Sequence, residues 1–160
     1  MVIKRTTLIT ASAGLLFLAV SMLLYGFLGY PRVSRVFFFP TDPDWAVRGE
    51  SRDLPRQDTP EKNVETYVSE WLLGPLGISH RRLFPRGTKL NAVFLRKDTL
   101  YLDFSSILLN RSIEGSLSLR ELAEVLERGI HHNFPRIKTI LISVDGEPLP
   151  PLQESLQEGE

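Results

Sequence analysis

The chain of 160 residues contains no cysteine. That absence excludes structural disulfides, thiolate catalysis, Cys-ligated zinc and attachment of a lipid to a cysteine, and it is compatible with either redox compartment. An excess of one charge sign is missing too, because 19 basic residues meet 19 acidic ones. The electrostatic footprint of a general nucleic-acid binder is therefore lacking, and no nucleic-acid partner is expected. The segment Val64 to Ser105, around which the body is arranged, holds no nucleophile motif, metal cluster or phosphate loop. No catalytic, cofactor-binding or metal-ligating residue is assigned, no cofactor is expected, and the chain does not read as an enzyme.

A third absence is local: from Thr6 to Tyr30 there is no charge. The apolar run Leu8 to Leu28 would span about 30 Å as a helix, the thickness of a bilayer core. Lys4 and Arg5 precede it, and Tyr25 and Tyr30 sit near its outer end, where amphipathic rings favour the interface. Residues 1–6 then read as a cytoplasmic N-terminus and 7–30 as an uncleaved transmembrane signal-anchor, since bulky residues and no Ala-x-Ala site follow the run. Arg32 and Arg35 on the far side weaken the charge asymmetry. The expectation is a single-pass protein of the cytoplasmic (inner) membrane, with the lipid bilayer as partner of residues 7–30 and the rest extracytoplasmic.

In the body, Val33, Val36 and Phe37-Phe38-Phe39 suit a buried strand stopped by Pro40. Thr41 to Thr59 has no sustained period and reads as a loop, with a short strand around Trp45 to Val47; Asp42 and Asp44 fit turn and capping positions better than a cation site. Thr59-Pro60 opens a helix with an apolar stripe of Val64, Tyr67, Val68, Trp71 and Leu72, and Gly74-Pro75 stops it. The following loop gathers His80, Arg81, Arg82 and Arg86, the candidate contact residues for a ligand or partner with phosphate or carboxylate groups.

Thr88 to Leu95 and Thr99 to Ser105 alternate with period two around Arg96-Lys97-Asp98, which predicts an antiparallel hairpin with Leu90, Ala92, Phe94, Leu100, Leu102 and Phe104 as its apolar set. Asp103 and Ser105 share one side of their strand, but nothing nearby activates the serine, so capping is the expected role. Ser118-Leu119-Arg120-Glu121 has the form of a capping box and begins a second helix that ends near His131-His132-Asn133. Adjacent histidines point about 100° apart and do not form an i, i+4 metal pair. Lys138 to Val144 is a β-branched run leading to a turn at Asp145-Gly146, and Glu147 to Glu160 is rich in Pro, Gln and Glu, with 150–160 reading as a disordered acidic tail.

Four landmarks in order, Trp71-Leu72-Leu73-Gly74-Pro75, Phe84-Pro85-Arg86-Gly87-Thr88-Lys89-Leu90, Tyr101-Leu102-Asp103-Phe104-Ser105 and Val144-Asp145-Gly146, resemble the GerMN domain of bacterial sporulation and spore-germination proteins. The resemblance covers about Val33 to Leu149, which places the domain at 31–149. Two departures stand out: Lys97-Asp98 replaces the Asp-Gly common in the family's hairpin turn, and the cysteine of lipid-anchored members is missing. The resemblance implies an α+β fold, a small two-layer sandwich of β-α-β-β-α-β order similar to ring-building motifs. Both helices would cover one face of a small sheet, burying Trp71, Leu72, Leu122 and Leu126 against Phe94, Leu102 and Ile142. It also implies a membrane-anchored extracytoplasmic module that acts by protein contacts, with itself or an envelope complex. The alternative is a module binding cell-wall polymer or another envelope ligand.

Overall fold

The computed structural model describes residues 5–28, 31–110 and 117–149. The tail expected at 150–160 lies outside them. The chain divides into two compact units, 1–31 and 32–160.

The first unit is one helix, α1 (Arg5–Leu28). Its described side chains, Thr10 to Gly26, are all exposed and form no polar face. Among the described residues no helix is long and apolar enough to cross a membrane.

The second unit opens with β1 (Arg32–Pro40) and β2 (Val47–Pro55), paired antiparallel from Arg32↔Pro55 to Pro40↔Val47. The sequence predicts a loop over most of β2, and the structure corrects this. β2 has no apolar alternation because two of its inward side chains are Glu50 and Arg52, which neutralise each other at 2.6 Å. The turn between the strands is held by Asp44, whose carboxylate accepts from Thr41 Oγ1 and the Ala46 N–H, both at 3.2 Å.

Helix α2 (Pro60–Leu73) starts where Thr59 Oγ1 accepts from the Lys62 N–H and ends at Gly74, whose φ of 92° lies in the region that favours glycine. Its buried stripe is Val64, Tyr67, Val68 and Trp71, with Leu72 half-buried. The hairpin β3 (Leu90–Arg96) and β4 (Thr99–Phe104) follows the loop after α2. Helix α3 (Leu119–Asn133) begins with the full capping box: Ser118 Oγ accepts from the Glu121 N–H at 3.1 Å, and Glu121 accepts from the Ser118 N–H. Then come β5 (Thr139–Val144), parallel to β4, and β6 (Glu147–Pro148), antiparallel to β5.

The result is an α+β fold with two sheets, β1-β2 and β3-β4-β5-β6, where one small sheet is expected from sequence. α2 packs on β3 and α3 on β1. The helices meet at Gly129, where a Cβ would overlap the Trp71 ring. Their side chains also close the edge of β1 that faces away from β2. Tyr67 donates to the Val36 carbonyl at 2.8 Å and Trp71 Nε1 to that of Phe38 at 3.2 Å, while the Asn133 side chain accepts from the Val36 N–H and donates to its carbonyl. A strand edge normally needs such partners when it is buried. Between the elements lies an aromatic core of Phe37, Phe39, Tyr67, Trp71, Phe84 and Phe104.

The expected packing of Phe94 is a second correction. A register shift between Leu90 and Ala92 rotates the rest of β3, so that Val93 and Leu95 join Leu90 against the core. A single extra residue reverses the facing of everything beyond it. Phe94 is left on the outer face, 62% exposed. Leu102 is buried as expected, and Ile142 packs partly buried against the core.

Candidate functional site

Three surface features combine unusual chemistry with fixed geometry. The first is the loop after α2 that carries the four residues singled out from sequence. His80 is bridged to Thr41, lies edge-on to Phe39, and keeps both ring nitrogens buried without a hydrogen-bond partner. Arg81 forms an ion pair with Asp42 and lies over the Trp45 ring, 4.4 Å from its centroid. Arg82 donates to the carbonyls of Leu73 and Leu72, at 2.7 and 3.0 Å, and so caps the C-terminal end of α2. Arg86 is exposed. The four are therefore neighbours in the chain with four different surroundings. Burial first, then the Arg86 charge, lowers the pKa of the Arg82 guanidinium.

Beneath the loop sits a clamp that the sequence does not announce. Arg52 donates to the Gly74 carbonyl at 2.7 Å and packs its guanidinium over Phe37 and Phe39. Its partner Glu50 accepts from the N–H groups of Leu76 and Gly77, at 3.2 Å each. Burial pushes the Glu50 carboxyl up, but Arg52 and the two amides outweigh that and hold it below the usual range.

The second feature is a polar knot where β3, β4 and the β5–β6 turn meet. Asp103 Oδ1 accepts from Ser143 Oγ at 2.6 Å and the Gly146 N–H at 2.9 Å. Asn91 Nδ2 donates to both Asp103 and Asp145, at 3.1 Å each. Asp145 in turn accepts from the Ser106 N–H. These donors, Ser143 foremost, lower the pKa of Asp103. Ser105, paired with Asp103 in the sequence, instead accepts from the Lys89 N–H at 3.0 Å. The knot fixes a turn and a bulge, which is structural work. Among the described residues no group of three or more His, Asp or Glu converges in a metal-binding arrangement.

The third feature is the outer face of the larger sheet. Phe94 pairs with Tyr101 and Tyr101 with Leu141, so three large side chains form one row across three strands, exposed by 62, 40 and 48%. Round the edge of β5 runs a groove of about 690 Å³ lined by Leu119, Ala123, Ile140, Ile142 and Leu149. β6 pairs only with Ser143 and Val144, which leaves the first part of β5 without a strand on that side among the described residues. Sequence reasoning places Phe94 in the core, because the bulge that turns it outward is set by Asn91 and its distant carboxylates.

With this geometry in view, comparison with known proteins is informative. A family profile described as "Germane: Sporulation and spore germination" matches residues 35–150. The chain belongs to the Germane family. No curated protein matches it by sequence. Among solved structures, it is similar to the tandem GerMN domains of the sporulation protein GerM from Bacillus subtilis, at 21% identity and a TM-score of 0.56 over 74% of this chain. It spans 41% of that tandem chain. The first GerMN domain of the same protein aligns at 20% identity and a TM-score of 0.53, covering 73% of this chain and 86% of that one. The Germane match falls within the second unit and includes Phe94, Tyr101 and Leu141.

Proposed function

We propose that this Germane-family chain is a membrane-anchored extracytoplasmic module that works by protein contacts, with a second copy or with a partner in a sporulation or cell-envelope complex. The observation that carries this reading is the row Phe94, Tyr101 and Leu141. Contiguous large apolar side chains on a sheet mark contact surfaces, and here the hydrogen-bonded knot at Asp103 and Asp145 fixes one end of the strands that present them. The anchor rests on α1. Its described side chains cover only about 26 Å, but the whole helix, Arg5 to Leu28, extends about 36 Å at ~1.5 Å per residue. After Arg5 it carries no charge. The test is native electrophoresis of the detergent-solubilised full chain. The wild type runs as a larger complex, and Phe94→Glu combined with Leu141→Glu runs as the monomer; identical migration of the two contradicts the reading.

Binding of cell-wall polymer through His80, Arg81, Arg82 and Arg86 is the second reading. It is favoured by Arg86, exposed with no carboxylate partner among the described ion pairs. Three of the four residues already have partners or packing within the fold, which makes it the weaker one.

A further inference from the structure

The end of α2 and the loop that follows it expose three aliphatic side chains in quick succession: Leu73 at 66%, Leu76 at 78% and Ile78 at 105%. None of them belongs to the core. Such exposure on a floppy loop would mean little, but this loop is held from beneath by Arg52 and Glu50 of β2 and braced by two of its own residues. Arg52 takes the Gly74 carbonyl, Glu50 takes the Leu76 and Gly77 amides, Arg82 takes the Leu73 carbonyl, and the His80 N–H donates to Gly77. Backbone polar groups point inward to these partners, and the aliphatic side chains point away.

The loop's own charges have one sign. From Trp71 to Lys97 the sequence contains no Asp or Glu, while it contains Arg81, Arg82, Arg86, Lys89, Arg96 and Lys97. Of the carboxylates near it, Glu50 is engaged with Arg52 and Asp42 with Arg81, and Glu70 lies one helical turn before Leu73. Among the described residues neither Arg82 nor Arg86 has an ion-pair partner. Carbonyl oxygens occupy donors of Arg82 but leave its charge in place.

Exposed aliphatic groups beside uncompensated guanidinium groups match the boundary layer of an anionic bilayer. Alkyl side chains enter the edge of the hydrocarbon and the arginines meet phosphate. A protein pocket fits less well, because the three exposed apolar side chains are Leu and Ile, and Leu is under-represented among binding hot spots. We propose that the loop from Leu73 to Arg86 is a lipid-contact site, seating Leu73, Leu76 and Ile78 in the interface of an anionic membrane with Arg82 and Arg86 on its phosphates. The proposal draws on the anchored reading only for the presence of a bilayer near the body.

The chain's lack of cysteine makes the test specific. Ser79, exposed between Ile78 and His80, is changed to cysteine (Ser79→Cys) and labelled with a polarity-sensitive dye. The full chain is reconstituted in vesicles of phosphatidylcholine with or without phosphatidylglycerol. The expected result is a blue-shifted emission, quenched by lipids brominated on the acyl chain, in the anionic vesicles only. Ile78→Asp with Leu76→Asp removes the shift while thermal unfolding is unchanged, since both side chains are in solvent in the free fold. Arg82→Gln with Arg86→Gln weakens the lipid contact about 30-fold, from two cationic contacts at the surface. A dye that stays equally open to aqueous iodide in both vesicle types overturns the proposal, as does shielding that appears only when another protein is added. The anchor is scored separately, by whether alkaline carbonate strips the chain from neutral vesicles; if it does, the dye signal recorded before the wash still decides the loop.

Discussion

Arg52 lies over Phe37 with its guanidinium carbon 4.8 Å from the ring centroid, and its Nη2 sits 2.6 Å from Glu50 and donates to the Gly74 carbonyl just past α2. Its side chain is only 8% exposed and that of Glu50 14%. Removing one member of so buried a pair strands the other. Arg52→Leu is expected to cost about 3–5 kcal/mol in urea denaturation, and Arg52→Leu with Glu50→Leu distinctly less. The pair also predicts a pH dependence. Because the Glu50 carboxyl is held below its ordinary value, its contribution is fully present above the unfolded-state pKa, about 4.3. It is lost as pH falls through the lowered folded value, so Glu50→Gln should show a shallower loss of Tm between about pH 5 and pH 3 than the wild type. Asp103 and Asp145, both lowered by hydrogen-bond donors, act in the same direction.

Among the elements, those that carry their own punctuation are readable in the sequence. Thr59-Pro60, Gly74-Pro75 and the Ser118-to-Glu121 box delimit α2 and α3 because caps are local chemistry. β2 is not readable, since the groups that make Glu50 and Arg52 tolerable inside lie in each other, in α2 and in its loop. The facing of Phe94 is hidden for the same reason: its bulge depends on Asn91 reaching Asp103 and Asp145, far along the chain. The candidate loop is half legible. Its cations are plain, but Asp42 and the end of α2, which absorb Arg81 and donors of Arg82, are not adjacent to them in sequence. At the contact of α2 and α3, Gly129→Ala would drive a methyl into Trp71 and is expected to destabilise the fold by about 1–3 kcal/mol by chemical denaturation. Ser118→Ala removes the box that starts α3 and should cost about 1 kcal/mol in the same assay.

At the scale of the whole molecule, different faces of the body have different tasks. The β1 edge and the aromatic core serve stability, and the row on the larger sheet is the surface proposed for contact with another protein. The most direct measurement places a photoactivatable amino acid at Phe94, Tyr101 or Leu141 in the full chain in its native cells, with a control at exposed Glu65 on α2. Irradiation is predicted to give an adduct of one discrete mass from the three sheet positions and none from Glu65. Adducts at all four positions alike, or at none, would contradict the assignment of that face as the working surface.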